Sequence, residues 1–261
     1  MLSPGVAALI AHLAFWLLVA ILAGCSSESD VGPGLNPGGT PPVSRIRVLM
    51  ITATAGFRHD SISVARETMT AMGAVTTDFI VTPTEELGML SSATLANFDV
   101  VFFALTSGEL PLTTDQKAAL LAFVQGGKGF MGAHSATDTL YDWPEYESLV
   151  GARFKEHPWT TAATVIVEDG SHPAGAGLGS SFSLTEEFYT FRDNPRPRVQ
   201  VLLRLDAASV GASGDYPLAW ADTLGAGRVY YNALGHFNET WRDQRFQRQL
   251  AGAIRWLAGR Q

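Results

Sequence analysis

From residue 45 to residue 133, short apolar runs alternate with stretches carrying apolar side chains at helical spacing. No other feature of the chain constrains its fold as much. Residues 46–51 (IRVLMI), 79–81 (FIV), 100–105 (VVFFAL) and 129–133 (GFMGA) read as buried strands. Between them, Ile62, Ala65, Met69 and Met72 recur on one helical face, with Asp60 or Ser61 as cap and Gly73 as stop. Thr113 and Gln116 form a capping-box pattern ahead of Ala118, Leu121 and Val124, and Gly126 follows the helix they predict. Such repetition predicts an α/β fold with a mostly parallel central sheet and right-handed crossovers. The second half is richer in strands, over residues 164–167, 182–184, 199–205, 218–221 and 228–233. Residues 222–227 form a hairpin loop. Phe246, Leu250, Ala253, Ile254 and Leu257 mark a last amphipathic helix. With no internal repeat and no second linker, residues 44–261 read as a single domain.

The N-terminal end reads differently. Residues 6–24 form the one long apolar stretch and end in Leu22-Ala23-Gly24-Cys25, which resembles the lipobox of bacterial lipoproteins. The resemblance implies a signal peptide over residues 1–24, cleavage before Cys25, and a diacylglycerol on its thiol. Residues 1–5 hold no Lys or Arg, a departure from the usual signal. The alternative is an uncleaved membrane helix, since about 18 apolar residues span a bilayer. Ser26 stands after the cysteine, where an Asp would retain a lipoprotein at the inner membrane, so the resemblance points to the outer membrane. Residues 25–43 are Ser, Gly and Pro with few apolar side chains, and read as a flexible tether. Cys25 is the sole cysteine among 261 residues, which excludes an intramolecular disulfide and a Cys-rich zinc site. A lipidated Cys25 excludes thiol catalysis as well. A net charge of −7 with no Lys/Arg run argues against nucleic acid as a partner.

In open α/β sheets ligands bind beyond the carboxyl ends of the strands. His59 lies eight residues after Ile51, His134 directly after the 129–133 strand, and His236 three residues after Ala233. His157 and His172 each precede a proline and are expected in loops. A buried histidine bonded to a carbonyl is the ordinary alternative for each. Three at strand ends suit acid–base or metal chemistry. The glycine runs at 126–129 and 175–179 do not lie between a strand and a following helix, so neither reads as a phosphate loop. Trp143, Trp159, Tyr141, Tyr189 and Trp241 lie in or beside the same loops; aromatic faces suit sugar rings, and equally suit a core.

Several of these segments carry a family resemblance. Gly56-Phe57-Arg58-His59-Asp60-Ser61, residues 129–139 (GFMGAHSATDT), residues 149–154 with His157-Pro158, and His172-Pro173 come first. Glu186-Glu187-Phe188-Tyr189, residues 217–220 (PLAW), and residues 227–231 with Gly235-His236 follow. In this order they resemble the ThuA-like (trehalose utilisation) family. The resemblance implies a flavodoxin-like fold related to class I glutamine amidotransferases. The turn that carries the cysteine of those enzymes reads here as Ala133-His134-Ser135, which argues against glutaminase chemistry. The family usually has an Asp-Glu-Leu-Tyr-like run where this chain has Glu186-Glu187-Phe188-Tyr189, leaving Glu187 and Tyr189 in place.

The family's link to disaccharides and 3-keto-sugars implies an envelope enzyme of carbohydrate metabolism: a lyase, hydrolase or isomerase. Removal of a proton beside a ketone needs a base and a group that stabilises the enolate. His134, Glu187 and His236 are the candidate catalytic residues, expected in one cleft. His59, His157, Tyr189 and Trp143 are the candidate substrate-binding residues. His134, His236 and Glu187 are also candidate ligands for a divalent metal. The alternative is a non-catalytic carbohydrate-binding or scaffolding lipoprotein, in which the histidines would be scattered and separately satisfied.

Overall fold

The structure, a computed structural model, describes residues 44–260. The readings over residues 1–43, with Cys25 among them, lie outside the described residues.

Nine strands make one sheet: β1 (Ile46–Ile51), β2 (Phe79–Thr84), β3 (Val100–Ala104), β4 (Gly129–Ala133), β5 (Phe154–Val167), β6 (Ser181–Phe191), β7 (Gln200–Leu205), β8 (Pro217–Leu224) and β9 (Gly227–Asn232). Helices α1 (Ile62–Thr76), α2 (Ser92–Leu95), α3 (Thr114–Gln125), α4 (Pro144–Val150), α5 (Asn238–Arg242) and α6 (Gln244–Leu257) complete it. The strand order is β2-β1-β3-β4-β9-β8-β7-β5-β6. From β2 to β9 every neighbouring pair is parallel. From β9 to β6 every pair is antiparallel.

The sheet is therefore mixed, with the antiparallel pairings the more extensive, and the expectation of a mostly parallel sheet holds only for the first part of the order. The reason is connection length. A parallel pair needs a crossover of about a dozen residues or more, usually a helix. The first half of the chain supplies α1 and α3 in that role. The second half joins β8 to β9 through Gly225 and Ala226 alone, which permits only a hairpin. Every residue of β3 and β4 is buried, as strands covered on both faces must be. On α3 the capping box forms as the sequence predicts, Thr113 Oγ1 accepting from the Gln116 amide at 3.2 Å and Gln116 Oε1 from the Thr113 amide at 2.8 Å.

Three local expectations are corrected. Gly73 lies inside α1, which ends instead at Thr77 in the left-handed region (φ 60°). Ser61 does not cap α1; its hydroxyl donates to the Gly235 carbonyl at 3.2 Å. His157 is not in a loop but in β5, which starts ten residues earlier than its apolar end suggests. β5 pairs with β7 only over Val165–Val167, while its pairing with β6 runs on to Phe154. The β5–β6 hairpin thus extends past its partner in the sheet, and this free part carries His157, Glu187 and Tyr189 to the carboxyl edge of the parallel strands.

Candidate functional site

β4 and β9 end together. Ala133 pairs with Asn232, so the next residues, His134 and Ala233, leave the sheet side by side. His134 turns sharply there, with φ 51°, a left-handed conformation that costs a non-glycine residue about 1–3 kcal/mol. Its carbonyl is held by the Tyr231 hydroxyl at 2.7 Å, and its ring is fully buried. The Nδ1–H donates to the Ala233 carbonyl at 2.8 Å, which turns Nε2 toward Glu187, His236 and Tyr189.

Glu187 is the hub. Its Oε2 lies 3.4 Å from His134 Nε2 and 3.1 Å from His236 Nδ1, and its Oε1 lies 3.3 Å from His157 Nδ1. Burial pushes its carboxyl up, but the contacts with His134 and His236 outweigh burial and hold it well below the usual carboxylate range. Hydrogen bonding to Glu187 raises His236 in turn. Tyr189 sets its hydroxyl 3.0 Å from His134 Nε2, and burial pushes that phenol well above its ordinary range, so it acts as a neutral donor. His59 completes the group, edge-on to His134 at 4.7 Å and to His236 at 5.2 Å. Burial above all, then the neighbouring His134 and His236, lowers its imidazole to about 3, which keeps it neutral.

His59, His134, His236 and Glu187 each bring one ligand atom into a group whose members all lie within 4.8 Å of one another. Ligands at about 2.0–2.2 Å from one ion stand no more than about 4.4 Å apart. That limit is for two ligands on opposite sides of the ion; tetrahedral ligands stand about 3.3–3.6 Å apart, so the four groups would have to draw inward by up to about 1–1.5 Å to share a single cation. His59 Nδ1 is buried with no protein partner, while the His134 Nδ1–H contact with a backbone carbonyl is the outer bond that orients a ligating imidazole.

The structure thus brings together His59, His134, His157, Glu187, Tyr189 and His236. It separates two residues from them. Trp143 is a core residue, 6% exposed and stacked on Tyr146, because its position ahead of α4 turns the indole inward under Lys117. His172 packs on Trp256, and its Nδ1 accepts from the Ala174 amide. One residue whose role the sequence left open acquires a clear one. Glu186 is fully buried and takes the Gly235 and His236 amides on Oε1 and the Thr240 hydroxyl on Oε2. Burial raises its carboxyl. Its part is to fix the turn that presents His236. Gly235 itself sits at φ 129°, a conformation that requires glycine, with Trp241 Nε1 and Ser61 Oγ both donating to its carbonyl.

Fold and site define an α/β protein with a histidine–carboxylate centre at the carboxyl edge of its sheet. The chain belongs to the ThuA family, described as trehalose utilisation, whose sequence profile matches residues 47–257. A ThuA-like protein from Bacteroides uniformis is similar with TM-score 0.69 and 22% identity, over 85% of this chain and 94% of that one. Another, from Parabacteroides merdae, gives TM-score 0.68 and 18% identity over 83% and 91% of the two chains. A β-galactosidase from Bacillus circulans sp. alkalophilus shares the fold at TM-score 0.55 and 14% identity; the match covers 84% of this chain and 32% of the enzyme. At these identities the likeness is one of fold. Comparison with curated proteins gives no match.

Proposed function

We propose that this protein is an enzyme of carbohydrate metabolism that works on a disaccharide or its 3-keto derivative. In this reading it is held at the bacterial envelope by a lipid on Cys25, with the outer membrane as destination. The observation that carries the enzymatic part is the convergence of three histidines and one carboxylate within 4.8 Å. Scattered, separately satisfied histidines would have suited a simple binder. The family's link to trehalose use supports the substrate class, and the lipobox-like run supports the anchor.

His59, His134, His236 and Glu187 are the ligands for a divalent cation in this reading, with His134 serving as ligand rather than base because its Nε2 points into the set. Such a cation supplies a positive charge for an enolate oxygen. His157 lies outside the ligand set, is half exposed, and has Nδ1 against Glu187. With Nδ1–H directed at that carboxylate, Nε2 is the atom left to act as a base, the arrangement by which a carboxylate orients a catalytic imidazole. His157 removes the proton on the carbon beside the ketone. The C–H electron pair forms the new C=C, and the carbonyl π pair moves to oxygen. Return of the proton to the former carbonyl carbon, with the α-hydroxyl's proton passing to the enolate oxygen, gives an isomer; collapse of the enolate to C=O with a new Cα=Cβ bond expels a β-alkoxy group, which leaves with the proton that His157 took, and gives elimination. Tyr189 is the neutral donor beside the same oxygen.

The test is to incubate the purified protein with disaccharides and their 3-keto derivatives, with and without chelator. Turnover of a keto-sugar that chelation abolishes and a divalent metal restores is the expected result. Absence of turnover across the panel in the metal-supplemented protein would overturn the reading.

A further inference from the structure

The histidine–carboxylate centre lies at the carboxyl edge of the parallel strands, and we propose that the opposite, amino edge is a seat for an anionic lipid surface. The inference rests on the envelope reading above and adds which face of the domain meets the membrane.

Within two residues of the amino ends of β1, β2, β3, β4 and β9, and from the last turn of α6 onward, lie Arg45, Arg47, Lys128, Arg228, Arg255 and Arg260. The carboxylates in the same places, among the described residues, are Asp78 and Asp99. Six cations against two carboxylates leave this edge at +4, in a chain whose total is −7. Both carboxylates are already paired, Asp99 with Lys128 at 2.8 Å and Arg47 at 3.6 Å, and Asp78 with Arg255 at 3.1 Å. Arg45 donates to the Gly73 and Phe79 carbonyls and Arg228 to the Trp256 carbonyl. Those bonds hold the two arginines in place without neutralising them. The Arg260 guanidinium reaches the Ser44 hydroxyl at 3.4 Å.

Apolar side chains stand at the same end. Val75, in the last turn of α1, is 83% exposed, and Ile80, in register with Arg47 across β1 and β2, is 47% exposed. Aliphatic side chains among arginines suit the boundary of a bilayer, where the apolar stems lie along acyl chains and the charged heads meet lipid phosphate. A nucleic acid offers the phosphate but no apolar layer for Val75 and Ile80. The covalent path to the anchor starts here too: Ser44 leads into β1 at this edge, and at most about 65 Å of extended chain separates it from Cys25. Seated this way, the domain turns its histidine–carboxylate centre outward. One strand length, about 20 Å, then lies between lipid and site, and a water-borne substrate reaches the centre without passing the headgroups.

The test puts an environment-sensitive dye on one thiol of the full chain, carrying Cys25→Ser and Val75→Cys, with vesicles of phosphatidylcholine alone or mixed with phosphatidylglycerol. On the mixed vesicles the dye is expected to shift to the blue and to be quenched by brominated acyl chains. Both signals are expected to fade in high salt, which screens the charges. Arg47→Gln with Arg260→Gln removes two cations and leaves Asp99 paired with Lys128. That pair is expected to lower the ratio of seated to free protein by roughly twentyfold, at about fivefold per cation. A dye on Phe57→Cys, beside His59 at the site end, is expected to stay in water throughout. Melting curves check that the variants fold, and Ile80→Cys replaces Val75→Cys if that variant does not. A dye at position 75 that stays in water on the mixed vesicles, equal immersion on both kinds of vesicle, or immersion of the Phe57→Cys dye overturns the inference. So does a position-75 dye that responds to single-stranded RNA and not to vesicles. Acylation of Cys25 is read separately by palmitate labelling, so the anchor and the seat fail independently.

Discussion

His134 and Ala233 are neighbours because β4 and β9 run parallel and in register, and the 2.8 Å bond from His134 Nδ1 to the Ala233 carbonyl decides which nitrogen faces the site. The turn that makes this possible puts a non-glycine residue at positive φ. Strain of that kind persists only where the surroundings over-determine the conformation. Here the Ala233 carbonyl and the Tyr231 hydroxyl provide the constraint.

If His134 Nε2 is a ligand, His134→Ala removes it from a set of four. Titration calorimetry with zinc or manganese is expected to show affinity falling by at least tenfold to a hundredfold, with the melting free energy lower by about 1–3 kcal/mol for the lost buried hydrogen bonds. Wild-type affinity is expected to fall as pH drops through the titration of His236, which Glu187 raises above the ordinary imidazole value, because that ring must shed its proton to bind metal, whereas His59 is already neutral. Unchanged affinity in the variant would sink the ligand assignment.

Glu186 offers a cleaner separation of positioning from chemistry. Glu186→Ala leaves the Gly235 and His236 amides buried and unpaired, at about 1–3 kcal/mol each. Glu186→Gln keeps one acceptor oxygen in place, and is expected to recover most of both stability and metal affinity. Equal damage from the two substitutions, read by thermal unfolding, would show that the charge itself is required.

The fold's first half was legible because each strand is a fully apolar run and each helix carries its own cap and stop signals. His134 and His236 were legible because they directly follow such runs. The free part of the β5–β6 hairpin was not. Residues 155–158 (Lys-Glu-His-Pro) are exposed, with no period-two alternation, and their pairing to β6 shifts register on either side of Glu156, so neither side-chain pattern nor a regular ladder marks them. Glu187 was reached through family resemblance, and its partner Glu186 was left without a role because two adjacent carboxylates on a strand ordinarily face opposite sides. Here both are buried at the site. Trp143 misled for a related reason, since an aromatic in a loop beside a site and one that anchors the next helix read alike in sequence.

At the other end of the chain, Cys25→Ala is expected to leave an unprocessed precursor with no acyl label when cells are fed labelled palmitate. Unchanged labelling would remove the anchor from the proposed function without touching the site.

His157 separates base from ligand. It lies outside the four-ligand group and is half exposed, with only its Nδ1 engaged, against Glu187 Oε1. Its removal therefore breaks no buried network. His157→Gln is expected to change stability by no more than about 0.5 kcal/mol, as surface substitutions usually do. Metal affinity by calorimetry is expected to stay within twofold of wild type. Turnover of a keto-sugar, by contrast, is expected to fall by about 10²–10⁴, the usual contribution of a positioned general base. The same variant is expected to lose the exchange of the substrate's α-proton with deuterated solvent, followed by proton NMR, because exchange needs the base even when no product forms. A His157→Gln protein that exchanges the α-proton at the wild-type rate would overturn the assignment of His157 as the base.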